Sequence, residues 1–180
     1  MADKAHWENI YTTKSLDEVS WYQPRPEQSL SLIAKAKLEK DASIIDIGGG
    51  DGFLVDHLLE LGYSDIHVLD IAQKAIERAQ QRLGNQQGVQ WYVSDVLDFI
   101  PEQQFDVWHD RAAFHFLTDQ NDIEQYVNLV HRSVAPQGNV IIGTVSEESP
   151  EMCSGLPIRQ YNIADLPALF ATHFQLAEGH

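Results

Sequence analysis

Residues 43–53, SIIDIGGGDGF, set four glycines and two aspartates at the end of an apolar run. Glycine lets backbone approach a ligand where a Cβ would collide, and spacing decides which ligand. Gly48, Gly50 and Gly52 follow G-x-G-x-G, whereas a dinucleotide fingerprint needs its third glycine where Phe53 stands. No Gly-Lys-Ser/Thr follows, so the loop is not a P-loop phosphate cradle. Asp46 and Asp51 would repel an anion and welcome a cation. Three more aspartates close or follow later apolar runs: Asp70, Asp95 and Asp110. His109, Asp110 and His115 gather after the fourth run and offer candidate general bases. Each reads equally well as a hydrogen-bonded core group. Cys153 stands without an inferable base and reads as inert.

Short β-branched or aromatic runs fall at 44–47, 66–69, 89–93, 105–108 and 140–145, as buried parallel strands do. Helical stripes separate most of them. Leu54, Val55, Leu58 and Leu59 form one, and Ala72, Ala75, Ile76, Ala79 and Leu83 a second. Ile123, Tyr126, Val127, Val130 and Val134 form a third, expected to stop at Pro136-Gln137-Gly138. The gap from Leu97 to Gln104 allows only a turn or two. Strands alternating with helices predict an α/β fold, a three-layer sandwich of a mostly parallel, Rossmann-like sheet with helices on both faces. Ligands of such sheets bind beyond the carboxyl ends of the strands, where the glycine loop and the aspartates lie.

The chain has 180 residues, suiting one domain over 1–180. Its 12 Lys and Arg against 27 Asp and Glu leave a formal charge of −15, which opposes nucleic acid and anionic membrane as partners. No signal peptide or spanning run stands out, so a cytoplasmic protein is expected. One cysteine and no His/Cys cluster with zinc spacing predict no metal.

The motifs in order resemble those of the class I S-adenosylmethionine-dependent methyltransferases, distantly the thiopurine and elongation-factor lysine methyltransferases. Ile44 to Gly52 is similar to the first motif of that family, Val68-Leu69-Asp70-Ile71 to the second, Ser94-Asp95-Val96 to the third and Phe105 to Arg111 to the fourth. The resemblance implies S-adenosylmethionine as donor and S-adenosylhomocysteine as product. It implies donor contacts at Asp46, Gly48, Gly49, Gly50, Asp70, Ile71, Asp95, Val96 and His109, with Asp70 on the ribose hydroxyls and Asp95 on the adenine amino group. Trp21 and Tyr22, in Val19 to Pro24, resemble a segment that relatives lay over the donor as a lid. Asp110-Arg111-Ala112 resembles a segment in which relatives carry glycine at the third place, so their acceptors do not transfer.

Residues 1–40 are expected to form cover helices and this lid, with Trp7, Ile10 and Tyr11 on one helix face and a second helix from Pro26. Glu151 to Pro157 should reach the ligand edge. Ile163–Phe170 reads as a last helix and Phe174–Ala177 as the start of a sixth strand; the family's sheet has a seventh, so either the protein lacks it or the sequence stops short of it, and an open edge would invite dimerisation, so that monomer and homodimer both stand. The resulting expectation is methyl transfer by in-line displacement to a small-molecule or protein side-chain acceptor. A non-catalytic donor-binding protein and an NAD-binding oxidoreductase are the alternatives. A nucleic-acid methyltransferase is opposed by the charge and by the lack of an Asn/Asp-Pro-Pro-Tyr/Phe motif.

Overall fold

The computed structural model describes residues 4–84 and 86–179; residues 1–3, 85 and 180 of the expected span lie outside these. Strands form where the sequence offers β-branched runs: β1 (Ser43–Ile47), β2 (Asp65–Asp70), β3 (Val89–Val93), β4 (Phe105–Arg111) and β5 (Val134–Gly143). They build one parallel sheet in the order β3-β2-β1-β4-β5. The chain winds from β1 outward to β3, then returns to lay β4 on the other side of β1. The strand order therefore reverses at the carboxyl ends of β1 and β4, where a crevice opens.

Period-two alternation sends successive strand residues to opposite faces. On one face Ile44, Ile66, Val68 and Val107 meet α2 (Glu27–Lys35), α3 (Leu54–Glu60) and α4 (Gln73–Leu83) through Ile33, Leu58 and Ile76. On the other, Ile45, Ile47, Leu69 and Trp108 meet α5 (Gln120–Ser133) and α6 (Asp165–Phe170) through Ile123, Tyr126, Leu129 and Phe170. Both faces are thus covered, giving the three layers the alternation predicts. A third cluster joins α1 (Lys4–Thr13) to α4: Trp7, Ile10 and Tyr11 pack with Ala72 and Ala75. α4 opens without a side-chain cap of its own. Instead Glu8 of α1 accepts from the Gln73 amide at 2.7 Å and the Lys74 amide at 3.1 Å.

Three expectations are corrected. The third helical stripe ends at Ser133, and Val134 already opens β5. Pro136-Gln137-Gly138 does not stop a helix; it lies in a register shift between the Phe105–Val134 and Val107–Asn139 pairs, with Gln137 at φ 67°. β5 ends at Gly143, two residues before the expected end at 145. Phe174–Ala177 forms no strand: the turn that follows α6 instead packs Phe174 against Phe170 and the cluster beneath α5. Beyond the five strands, β6 (Met152–Cys153) and β7 (Leu156–Pro157) form a separate antiparallel hairpin. Among the described residues no helix is long and apolar enough to cross a membrane.

Candidate functional site

β1 runs into its loop with no spare room. Gly48 and Gly50 adopt φ 64° and 54°, the left-handed region that side chains resist. A Cβ on Gly48 would stand 2.7 Å from the Ala113 Cβ, and one on Gly50 2.5 Å from the Tyr11 hydroxyl and 3.2 Å from Asp70 Oδ2. The amides of Gly48 and Gly49 donate to the Leu69 carbonyl at 2.7 and 3.2 Å, binding the loop to the end of β2. Two arginines fasten it from behind: Arg78 reaches Asp51 at 3.1 Å, and Arg82 reaches the Asp51 and Gly52 carbonyls at 2.7 and 2.8 Å.

The main cleft, about 120 Å³, runs along the strand ends. Asp70, Ile71, Ser94, Asp95 and Val96 line it together with Gly48. Asp70 is 5% exposed, and its Oδ1 accepts the Ala72 amide at 2.8 Å. Its Oδ2 accepts no hydrogen bond among the described residues. Burial pushes its carboxyl up to about 7; the Ala72 amide opposes this, and the carboxylates of Asp51, Asp46 and Glu8 add to it. Asp95 Oδ1 accepts the Leu97 amide at 2.9 Å, capping a single 3-10 turn, Val96–Asp98. The carbonyl of Asp70 accepts from the Ser94 amide at 3.0 Å, so the two acidic corners share one frame.

Aromatic rings wall the same cleft. Trp7 meets Phe116 at 5.1 Å and Trp21 at 5.7 Å edge-on, and Tyr11 meets Trp21 at 6.3 Å. All four rings line the main cleft together with Arg111, Ala112, Ala113 and Cys153. Ala112 holds φ 73°, a strained conformation for a residue with a Cβ, at the position where glycine would rest freely. Beside it a smaller cleft of about 40 Å³ takes Tyr22, Asp46, Gly49, Phe53 and His109, sharing Trp21, Gly48 and Arg111 with the first. Tyr22 is 37% exposed and packs edge-on against Phe53 at 6.2 Å.

The three candidate bases behave otherwise than their clustering suggests. His109 is held on both nitrogens, with Asp46 Oδ1 2.7 Å from Nδ1 and the Ser29 hydroxyl 2.9 Å from Nε2. Asp46 and His109 thus partner each other and tie β1 and β4 to α2. Asp110 is wholly buried and lines neither cleft. Its Oδ2 accepts from Tyr126 at 2.6 Å and its Oδ1 from the amides of Ala113 and Phe114 at 3.0 and 3.1 Å, so the carboxylate is spent on shaping the turn. Burial still raises it to about 6. His115 is 1% exposed, neither ring nitrogen finds a partner, and desolvation lowers it to about 4, leaving it neutral and out of reach of both clefts. Neither Asp110 nor His115 lines either cleft. Among the described residues no group of His, Cys, Asp and Glu is arranged to hold a metal ion.

Residues 44–138, more than half of the chain, match the family described as a methyltransferase domain. The chain belongs to that family. This methyltransferase domain is 27% identical over 108 residues to malonyl-[acyl-carrier protein] O-methyltransferase 1 of Ilyobacter polytropus, matching 59% of this chain and 40% of that protein. It thus spans well under two-thirds of that relative's length. Against human EEF1A lysine methyltransferase 2 it is 23% identical over 168 residues, 84% of this chain and 71% of that protein. The crystal structure of the N-methyltransferase NodS from Bradyrhizobium japonicum WM9 with S-adenosyl-L-homocysteine shares its fold at a TM-score of 0.65 and 18% identity, over 81% of this chain and 75% of that one.

Several residues of the methyltransferase domain's clefts escape sequence reasoning. Trp7 and Tyr11 read as one apolar helix face, and only the proximity of α1 to the glycine loop turns that face into a cleft wall. Phe116 hides in a run of alternating aromatics. Arg111 carries a visible signal, a lone cation following the fourth strand in an acid-rich chain.

Proposed function

We propose that this chain is an S-adenosylmethionine-dependent methyltransferase acting on a small molecule or a protein side chain. The observation that carries the reading is Asp70: buried beside the glycine loop, it keeps one carboxylate oxygen unspent toward the cleft, as a ribose diol with two donors requires. The cradle fits such a donor, because Gly50 is pressed against Tyr11 and Asp70 and the space above the loop depends on the missing Cβ. When bound, the donor supplies a sulfonium methyl open to in-line displacement.

The protein's residues then bind, orient and exclude water. Asp70 accepts from the ribose hydroxyls and Asp95 from the adenine amino group, with the Val96 amide and Ile71 beside the ring. Gly48, Gly49 and Gly50 bring bare backbone along the methionine side, and Trp21 and Tyr22 cover it. Holding two reactants in attack geometry is worth roughly 7–11 kcal/mol, enough for chemistry that needs no metal. The partnering of His109 with Asp46 and Ser29 supports its role as a strut beneath the donor rather than as a base. A methyl acceptor then has to arrive deprotonated or lose its proton to solvent. Relatives named for O-methyl and N-methyl transfer and for lysine methylation support either class of acceptor. The charge of −15 supports work away from nucleic acid and membrane, in the cytoplasm, by one domain over 1–180, as a monomer or homodimer.

Calorimetric titration with S-adenosylmethionine, S-adenosylhomocysteine and NAD tests the donor, and labelled-methyl transfer into lysate fractions tests the acceptor. Donor binding followed by label in a small-molecule or protein fraction is expected. NAD binding without S-adenosylmethionine binding would make the protein an oxidoreductase. Tight donor binding with no transfer to any fraction would make it a binding protein.

A further inference from the structure

Among the residues lining the two clefts, Arg111 is the single lysine or arginine, and it lines both. Four aspartates share those walls, and none of them pairs with Arg111: Asp46 meets His109, Asp51 Arg78, Asp70 the Ala72 amide and Asp95 the Leu97 amide. Among the described residues Arg111 forms no ion pair. Its one hydrogen bond runs from Nη2 to the Trp21 carbonyl at 3.2 Å, leaving most of a five-donor fork unused. In a chain with more than twice as many acids as bases, a half-buried guanidinium without a carboxylate is a cation kept for something that arrives. Its surroundings narrow what that is. The main cleft offers it the aromatic walls of Trp7, Trp21 and Phe116 and the methyl of Ala113, and the Trp21 carbonyl that Arg111 meets brings it to those rings.

Building on the donor reading above, we infer that Arg111 is a specificity-determining residue that recognises a carboxylate on a small, flat acceptor held between Trp7, Trp21 and Phe116. A guanidinium meets a carboxylate through two parallel N–H bonds, which fixes both the plane and the direction of the bound group. Flat apolar walls suit the rest of such a molecule. The donor's own amino-acid tail carries a carboxylate as well, so donor affinity in Arg111 variants decides between the two.

Benzoate and benzamide, equal in shape and different in charge, serve as probes in calorimetric titrations of protein saturated with S-adenosylhomocysteine. Benzoate is expected to bind at least about tenfold more tightly than benzamide, because only the carboxylate can form the charged bidentate pair. Arg111→Gln should erase that preference and Arg111→Lys restore only part of it, since an ammonium lacks the fork. S-adenosylhomocysteine affinity should stay within about threefold in both variants, and thermal melts should confirm that both fold. Equal binding of the two probes, or binding of neither, would overturn the inference. So would a loss of S-adenosylhomocysteine affinity of about tenfold or more in Arg111→Gln, which would give Arg111 to the donor's carboxylate. Failure of the donor reading itself looks different: the unsubstituted protein would not bind S-adenosylhomocysteine at all.

Discussion

Asp70 ends β2 and Asp110 stands one residue before the end of β4; both lie within the same parallel sheet and both are raised by burial, to about 7 and about 6. They differ in what their oxygens have left to do. Asp110 accepts three bonds from its own chain and faces neither cleft, whereas Asp70 accepts one and turns its second oxygen toward the glycine loop. Burial and a displaced pKa are therefore common to a carboxylate spent within the fold and to one that keeps an oxygen toward the cleft. Unspent acceptor capacity at a cleft wall is what separates them.

That contrast breaks most visibly at Asp110. Replacing it with alanine strands the Tyr126 hydroxyl and two amides without an acceptor and should cost about 3 kcal/mol or more in chemical denaturation. Asp110→Asn keeps the acceptor for the amides and should retain methyl transfer; abolished transfer at full stability would mean that the carboxylate acts in the reaction. Asp70→Asn should do the reverse. It removes a charged acceptor from the ribose diol, weakening donor binding by about 2 kcal/mol in calorimetry, while stability at pH 8 holds or rises because no buried charge remains.

The same aspartate sets a pH dependence that sharpens the comparison. Below pH about 7 Asp70 is protonated in the free protein and cannot accept from both hydroxyls, so donor affinity should climb from pH 6 to pH 8 by at most about tenfold per pH unit and level off above. Stability runs the other way. The folded pKa lies above the unfolded value, so this group's stabilising contribution is complete below the unfolded pKa and is lost as pH rises through about 7. Asp70→Asn should flatten both curves. The smallest effect belongs to the strut on the opposite face of β4: Ser29→Ala deprives His109 Nε2 of its partner and should cost about 1 kcal/mol with donor affinity little changed.

The inner strands were legible because Ile44, Ile45, Val68 and Val107 sit in β-branched runs flanked by turn residues, and buried parallel strands leave that signature. β5 was less so. Its first residue follows α5 without a loop, and the shift around Gln137 hides a strand behind Pro136 and Gly138, which locally read as breakers. Phe174–Ala177 shows the opposite error, since alternation promises a strand but pairing needs a partner edge, which the local sequence does not encode. At the site, glycine spacing located the loop and the family resemblance gave Asp70 to the ribose, yet sequence could not show that Asp110 is spent within the fold, because that lies in Tyr126 and two backbone amides brought together by folding.

Glu8 gives the cleft an unusual dependence on assembly order. The amino end of α4, which continues directly from the Asp70 corner, obtains its cap from a side chain 65 positions earlier in the chain. Neither partner can be completed alone: α4 lacks its first hydrogen-bond acceptors until α1 docks, and α1 lacks its apolar seat on Ala72 and Ala75 until α4 has formed. The aromatic wall and the acidic corner of the cleft are therefore joined through the contact of α1 with α4, so that loosening α1 disturbs both at once.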